Sequence, residues 1–141
     1  MSDQSRLHLF QKFLAIYGWL SLALFGGLMI GFIVQPASWD VGGRWHWLIW
    51  DSIEDRVAQM LLAVYVVWSI FIIRAARDPV ANKTFIDFTV WANIAHGLSM
   101  IPHALMGPEY RMKLLTDIPW VFLPAIALVV LRPSFTARKT A

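Results

Sequence analysis

Apolar positions along this chain fall into four long runs, separated by short breaks rich in charge, proline and glycine. Positions 13–34 hold no charged residue, and Arg56 and Arg74 bracket a second uncharged run at 57–73. A third run, 85–106, carries one acid, Asp87, near its start, and a fourth, 114–131, is interrupted only by Asp117. A helix crossing the hydrocarbon core takes about 20 mostly apolar residues, and in lipid each segment must satisfy its own peptide groups. The pattern therefore predicts an all-α fold, an integral membrane four-helix bundle forming a single transmembrane domain over residues 1–141. The helices are expected at about 9–34, 53–77, 83–106 and 114–131, with an outer tryptophan-rich, amphipathic loop at 35–52.

The breaks carry matching stop and start signals. Gln35-Pro36 ends the first run, and Ser52 followed by Asp55 forms a capping pattern ahead of the second. Arg77-Asp78-Pro79 ends the second, and Asn82 suits the N-cap of the third. Gly107-Pro108 closes the third as a C′ glycine with a following proline, and Pro119 falls in the first turn of the fourth. Pro102 and Pro124 lie inside helices and predict bends.

Composition supports this reading. Of 141 residues, 58% are hydrophobic and 15% charged, and the mean hydropathy is +0.57. Soluble domains average about 45–50% apolar and about 25% charged, so an ordinary soluble fold and a disordered chain are excluded. The sequence has no cysteine, which removes thiol redox chemistry, cysteine-ligated zinc and iron–sulfur clusters.

A net charge of +3 at first suggests a nucleic-acid partner, but the basic residues are placed as a membrane topology places them. Arg6, Lys12, Arg74, Arg77, Lys83, Arg132, Arg138 and Lys139 fall on one side of the four runs. Only Arg44, Arg56, Arg111 and Lys113 fall on the other. The positive-inside rule then puts the N- and C-termini of a multi-pass membrane protein in the cytoplasm, and no nucleic-acid role is expected. The first run is too long for a signal-peptide core and is expected to be retained.

Four of the eight tryptophans, Trp39, Trp45, Trp47 and Trp50, crowd into the loop between the first two runs. Indole favours the headgroup level, which makes the loop an outer-leaflet anchor. The other reading is an aromatic lid over a cavity in the bundle.

Candidate chemistry concentrates on the third helix. At about 100° per residue, Thr89, Asn93, His96, Met100 and His103 share an arc of roughly 80°, with Ser99 beside it. Polar side chains within a span face a bundle interior or a cavity. His96 serves either an interhelical hydrogen bond, a ligand or cofactor such as haem or quinone, or proton transfer. His103 and Asp117 are expected at similar depth near the outer mouth. Asp117 is there either as an N-cap for a helix beginning at Ile118 or as the partner of His103, with His46, Glu54 or Glu109 within reach. No recognised metal-ligand spacing occurs. On the first helix, Gly27 and Gly31 form a small-xxx-small pair that admits a close-packed helix, from this chain or from a partner.

The stretch Ala75-Ala76-Arg77-Asp78-Pro79-Val80-Ala81-Asn82-Lys83, with Phe88-Thr89-Val90-Trp91 leading to His96-Gly97, resembles small bacterial membrane proteins grouped as domains of unknown function. It is also loosely similar to the DoxX-like four-helix proteins. The resemblance implies a four-helix bundle in a bacterial inner membrane and assigns no catalytic residue. Three functional expectations follow. The first is a non-catalytic subunit that forms a homo-oligomer or joins a membrane-protein complex in the lipid bilayer. The second is a bundle binding a small apolar ligand (lipid, quinone or haem) through Asn93, His96, Met100, His103 and Asp117. The third is an enzyme or transporter built on His103 and Asp117.

Overall fold

The computed structural model describes residues 3–40, 42–50 and 56–133. Four α-helices occur in it, α1 (Asp3–Val34), α2 (Arg56–Arg77), α3 (Lys83–Met106) and α4 (Asp117–Val130). Short 3₁₀ turns lie at Ala37–Trp39, His46–Leu48 and Pro108–Leu114. There is no strand among the described residues. The Ser52–Asp55 capping pattern falls outside them.

Helix α1 begins well before the apolar run, because nothing between Asp3 and Lys12 breaks a helix and the polar first turns simply extend beyond the lipid. Its end is set by Gln35, which takes the left-handed conformation (φ 49°) and bonds through its N–H to the Gly31 carbonyl at 2.7 Å. Asn82 stands at the N-cap of α3 without capping it. Its amide donates instead to the Asp78 carbonyl at 2.8 Å. Gly107 does end α3, but in an extended conformation (φ −150°) and not as a left-handed C′ residue. The fourth helix proper is only 14 residues long. Together with the preceding 3₁₀ stretch it forms a 23-residue segment, Pro108–Val130, of membrane-crossing length.

Three segments are long and apolar enough to cross a membrane: α1, α2 and Pro108–Val130. The expected fourth, α3, has the length, at 24 residues, but its polar stripe lowers its apolarity. The deeper part of that stripe is turned inward. Phe88, Trp91, Leu98 and Leu105 form the exposed face of α3, while Thr89, Asn93, Gly97, Met100 and Ala104 are buried. Exposed large apolar side chains cover the other helices as well, including Ile16, Ile30, Met60, Val64, Leu123 and Val129. A water-soluble monomer rarely shows so much contiguous apolar surface. The molecule is a membrane protein.

The bundle is built from two helical hairpins. α1 packs along α2, and α3 along α4, whereas α2 touches α3 only sparsely. Glycine permits both close approaches. A Cβ on Gly18 would sit 2.7 Å from the Ile73 side chain of α2, and one on Gly97 would sit 2.7 Å from the Phe122 ring of α4. The hairpins converge where the termini lie. There Phe10, Leu14 and Tyr17 of α1 share one core with Ile72 and Ala75 of α2, Ile86 and Val90 of α3, and Leu128 of α4. Asp87 closes the same end, taking Arg132 at 2.6 Å and Lys83 at 2.8 Å. Gln11 of α1 donates to the carbonyl of Arg77 at the end of α2. Toward the opposite end the single core divides. Phe32, Ile49 and Leu62 form one cluster within the first hairpin, and Met100, Ala104 and Ile118 form another within the second.

Candidate functional site

Because the hairpins diverge, a cavity of about 660 Å³ opens between them. All four helices and the segment from Trp47 to Trp50 contribute to its wall. The polar stripe of α3 runs down one side, so the structure brings Asn93, His96, Met100, His103 and Asp117 to the lining of a single space. Ser99 joins them there.

The stripe divides by depth. At the floor its polar groups are bound to neighbouring helices. Asn93 donates through Nδ2 to the Tyr17 hydroxyl of α1 at 3.0 Å, and Trp68 of α2 donates through its indole N–H to the Thr89 hydroxyl at 3.2 Å. Tyr17 and Trp68 also meet edge to face, with centroids 5.7 Å apart. Such bonds satisfy groups that would be costly in an apolar interior.

One turn further along, the bonding changes. The His96 ring lies against the Tyr65 ring (centroids 5.8 Å, interplanar angle 60°), and its nitrogens have no hydrogen-bond partner among the described residues. Ser99 Oγ donates to the carbonyl of His96 at 2.7 Å. The His103 ring binds the carbonyl of Ser99 through Nδ1 at 2.9 Å. A carbonyl only accepts, so Nδ1 carries a proton, and in the neutral ring Nε2 is the acceptor.

At the mouth, Asp117 is the first residue of α4. Its carboxylate does not meet His103. It accepts the indole N–H of Trp50 at 2.7 Å and lies 3.1 Å from the ammonium of Lys113, one turn earlier. The Lys113 side chain is only 2% exposed, and its charge stands 5.2 Å over the Trp50 ring. Trp50 stacks in turn on Tyr110, with 6.2 Å between centroids. The first interhelical loop is thereby fastened across to the second hairpin. Of the other residues placed near this mouth by sequence, His46 binds the Trp39 carbonyl within its own loop, and Glu54 lies outside the described residues.

The tryptophans of the loop divide between the cavity wall, the exposed surface and α1. Trp47 and Trp50 line the cavity, Trp45 and Trp47 are about two-fifths exposed, and Trp39 lies across α1. The two members of the glycine pair differ. Gly31 admits the Trp39 indole, whereas a Cβ on Gly27 would meet no described atom within 4 Å. The glycine that brings α1 and α2 together is Gly18.

Sequence reasoning missed Tyr17, Lys113 and Trp50 as site residues. The spacing of Lys113 and Asp117, one helical turn apart, was the available signal for the ion pair. Nothing local announces that Tyr17 faces Asn93. Among the described residues no group of three histidine or acidic side chains comes together as a metal cage.

These features define a membrane four-helix bundle whose two hairpins are tied at one end and parted around a polar-striped cleft at the other. The chain matches the Family of unknown function (DUF6632) over residues 11–140 and belongs to it. No curated protein and no solved structure matches it.

Proposed function

We propose that this protein binds a small, mostly apolar ligand taken from the bilayer in the cleft between its hairpins. It does so in a bacterial inner membrane, with both termini cytoplasmic. The observation that carries this reading is the cavity itself. Pockets for small ligands measure roughly 300–1,000 Å³, are lined chiefly by apolar and aromatic side chains, and hold a few well-placed polar groups. The space here fits each criterion, with Phe25, Leu28, Tyr65 and Trp120 as wall and His96, His103 and Asp117 as polar points. Haem, quinone and lipid all fall within the range. Native mass spectrometry of the protein released from mild detergent tests the proposal. A bound small molecule lost in a Leu61→Trp variant, which fills the cleft, is the expected result. A protein that carries none and binds none on lipid addition refutes it.

A second reading, as a subunit of a homo-oligomer or a larger membrane complex, is favoured by the open surface at Gly26 and Gly27, where a Cβ would meet no described atom within 4 Å. Crosslinking at Gly27→Cys in a chain otherwise free of cysteine tests it, and a strictly monomeric outcome counts against it. The catalytic reading has less support, because His103 and Asp117 are each engaged elsewhere.

A further inference from the structure

The unpaired nitrogens in the cleft carry information about what fills it. His96 and His103 are seven residues apart on one helix, so they point almost the same way and stand about 10.5 Å apart along the axis. A ligand bonded to both imidazoles therefore needs its two oxygens on opposite sides, several ångströms apart along one line. The oxygens on opposite corners of a six-membered carbon ring stand roughly 5–6 Å apart. The aromatic walls of Tyr65, Trp68 and Trp120 suit a flat ring between the histidines.

Charge narrows the choice. Asp117 is the only lysine, arginine or carboxylate among the described lining residues, and Lys113 already neutralises it. An ionised ligand would meet no countercharge. Protonation narrows it again. His103 spends its N–H on the Ser99 carbonyl, so its Nε2 calls for a donor, and a hydroxyl supplies one where a carbonyl does not.

We infer that the cleft takes an uncharged ring bearing oxygens at its two opposite corners and an apolar tail, in its dihydroxy (quinol) form, held between His96 and His103. This rests on the ligand-binding reading above. The test is calorimetric titration of the full-length protein in detergent without oxygen, using a decyl-tailed benzoquinol, the matching benzoquinone and decanol. The quinol is expected to bind at least threefold more tightly than the quinone, and decanol more weakly than either.

His103→Leu should weaken quinol binding about three- to tenfold and erase the preference, while His103→Gln, whose amide accepts and donates, should recover quinol binding and admit the quinone equally. His96→Leu should weaken both ring forms. Equal binding of quinol and quinone to the unaltered protein overturns the inference, and so does decanol binding as tightly as the rings, although the cleft remains a ligand site in both cases. Failure of all three probes to bind removes both. If a variant does not fold, the preference of the unaltered protein decides alone.

Discussion

Along one face of α3, Thr89 and Asn93 are consumed by bonds to Trp68 and Tyr17, while His96 and His103, further along the same face, make no hydrogen bond to a neighbouring helix among the described residues. The difference lies in what surrounds the helix. Where the termini lie, four helices share a core, and Thr89 and Asn93 there find partners on neighbouring helices. Where the loops lie, each hairpin has its own core, and the same stripe faces empty space. A polar residue in a span is thus structural or available according to the spacing of its neighbours, and its chemistry alone does not decide which. The loop end is spanned by a polar fastening, Trp50 to Asp117 over Lys113. That kind of link opens more readily than a packed core.

Several substitutions would break or sharpen this contrast. The largest effect is expected from Gly18→Leu. A side chain there collides with Ile73 and forces α1 from α2 at the tied end, costing about 3 kcal/mol or more in denaturant unfolding in detergent micelles. Gly27→Leu, in open surroundings on the same helix, should change the same curve by less than about 0.5 kcal/mol. Equal losses at both positions would show that the hairpin contact is wrongly located.

Asn93→Leu should come next. It strands the Tyr17 hydroxyl in the floor and costs about 1–2 kcal/mol, read as a lowered Tm. His96→Leu, on the same stripe but unbonded, should leave Tm unchanged or raise it in the absence of ligand. A smaller change in stability is expected from Trp50→Phe, about 1 kcal/mol at most, because one hydrogen bond is removed and stacking is kept. Its sharper readout is access. With Ser99→Cys as the only thiol, maleimide labelling should become several-fold faster when Trp50 is replaced, and unchanged labelling would dismiss the fastening. The smallest effect belongs to Asp87→Asn. Its carboxylate is about one-third exposed, and the pairs with Arg132 and Lys83 contribute about 1 kcal/mol or less, measured as a Tm shift that shrinks with added salt.

Much of the architecture was legible in the one-dimensional pattern. The four helices, the proline and glycine stops, and the shared face of Asn93, His96, Met100 and His103 all follow from local chemistry and helical periodicity. Other features were not legible because they depend on residues far apart in the chain. The Trp50–Asp117 bond joins positions 67 apart, and Asn93–Tyr17 joins positions 76 apart. The pairing proposed for His103 and Asp117 failed for the same reason. Similar depth in a membrane brings two side chains to one level, but which neighbour each one takes depends on how the hairpins are rotated. The glycine pattern is legible only in part, since small-xxx-small spacing describes a groove without saying whether a helix, an indole or lipid lies in it.

Hydrophobicity and its period therefore settle that this polypeptide lives in a membrane as helices, because solvation by lipid and the closure of peptide hydrogen bonds act on each segment separately. The tertiary structure alone decided that the helices pair as two hairpins, that the pairs close at one end and part at the other, and that the parted end holds a cavity. Those outcomes are differences between competing packings of already stable helices. They turn on a few contacts, such as Gly18 on Ile73, Gly97 on Phe122 and Trp50 on Asp117, whose partners no local stretch of sequence contains.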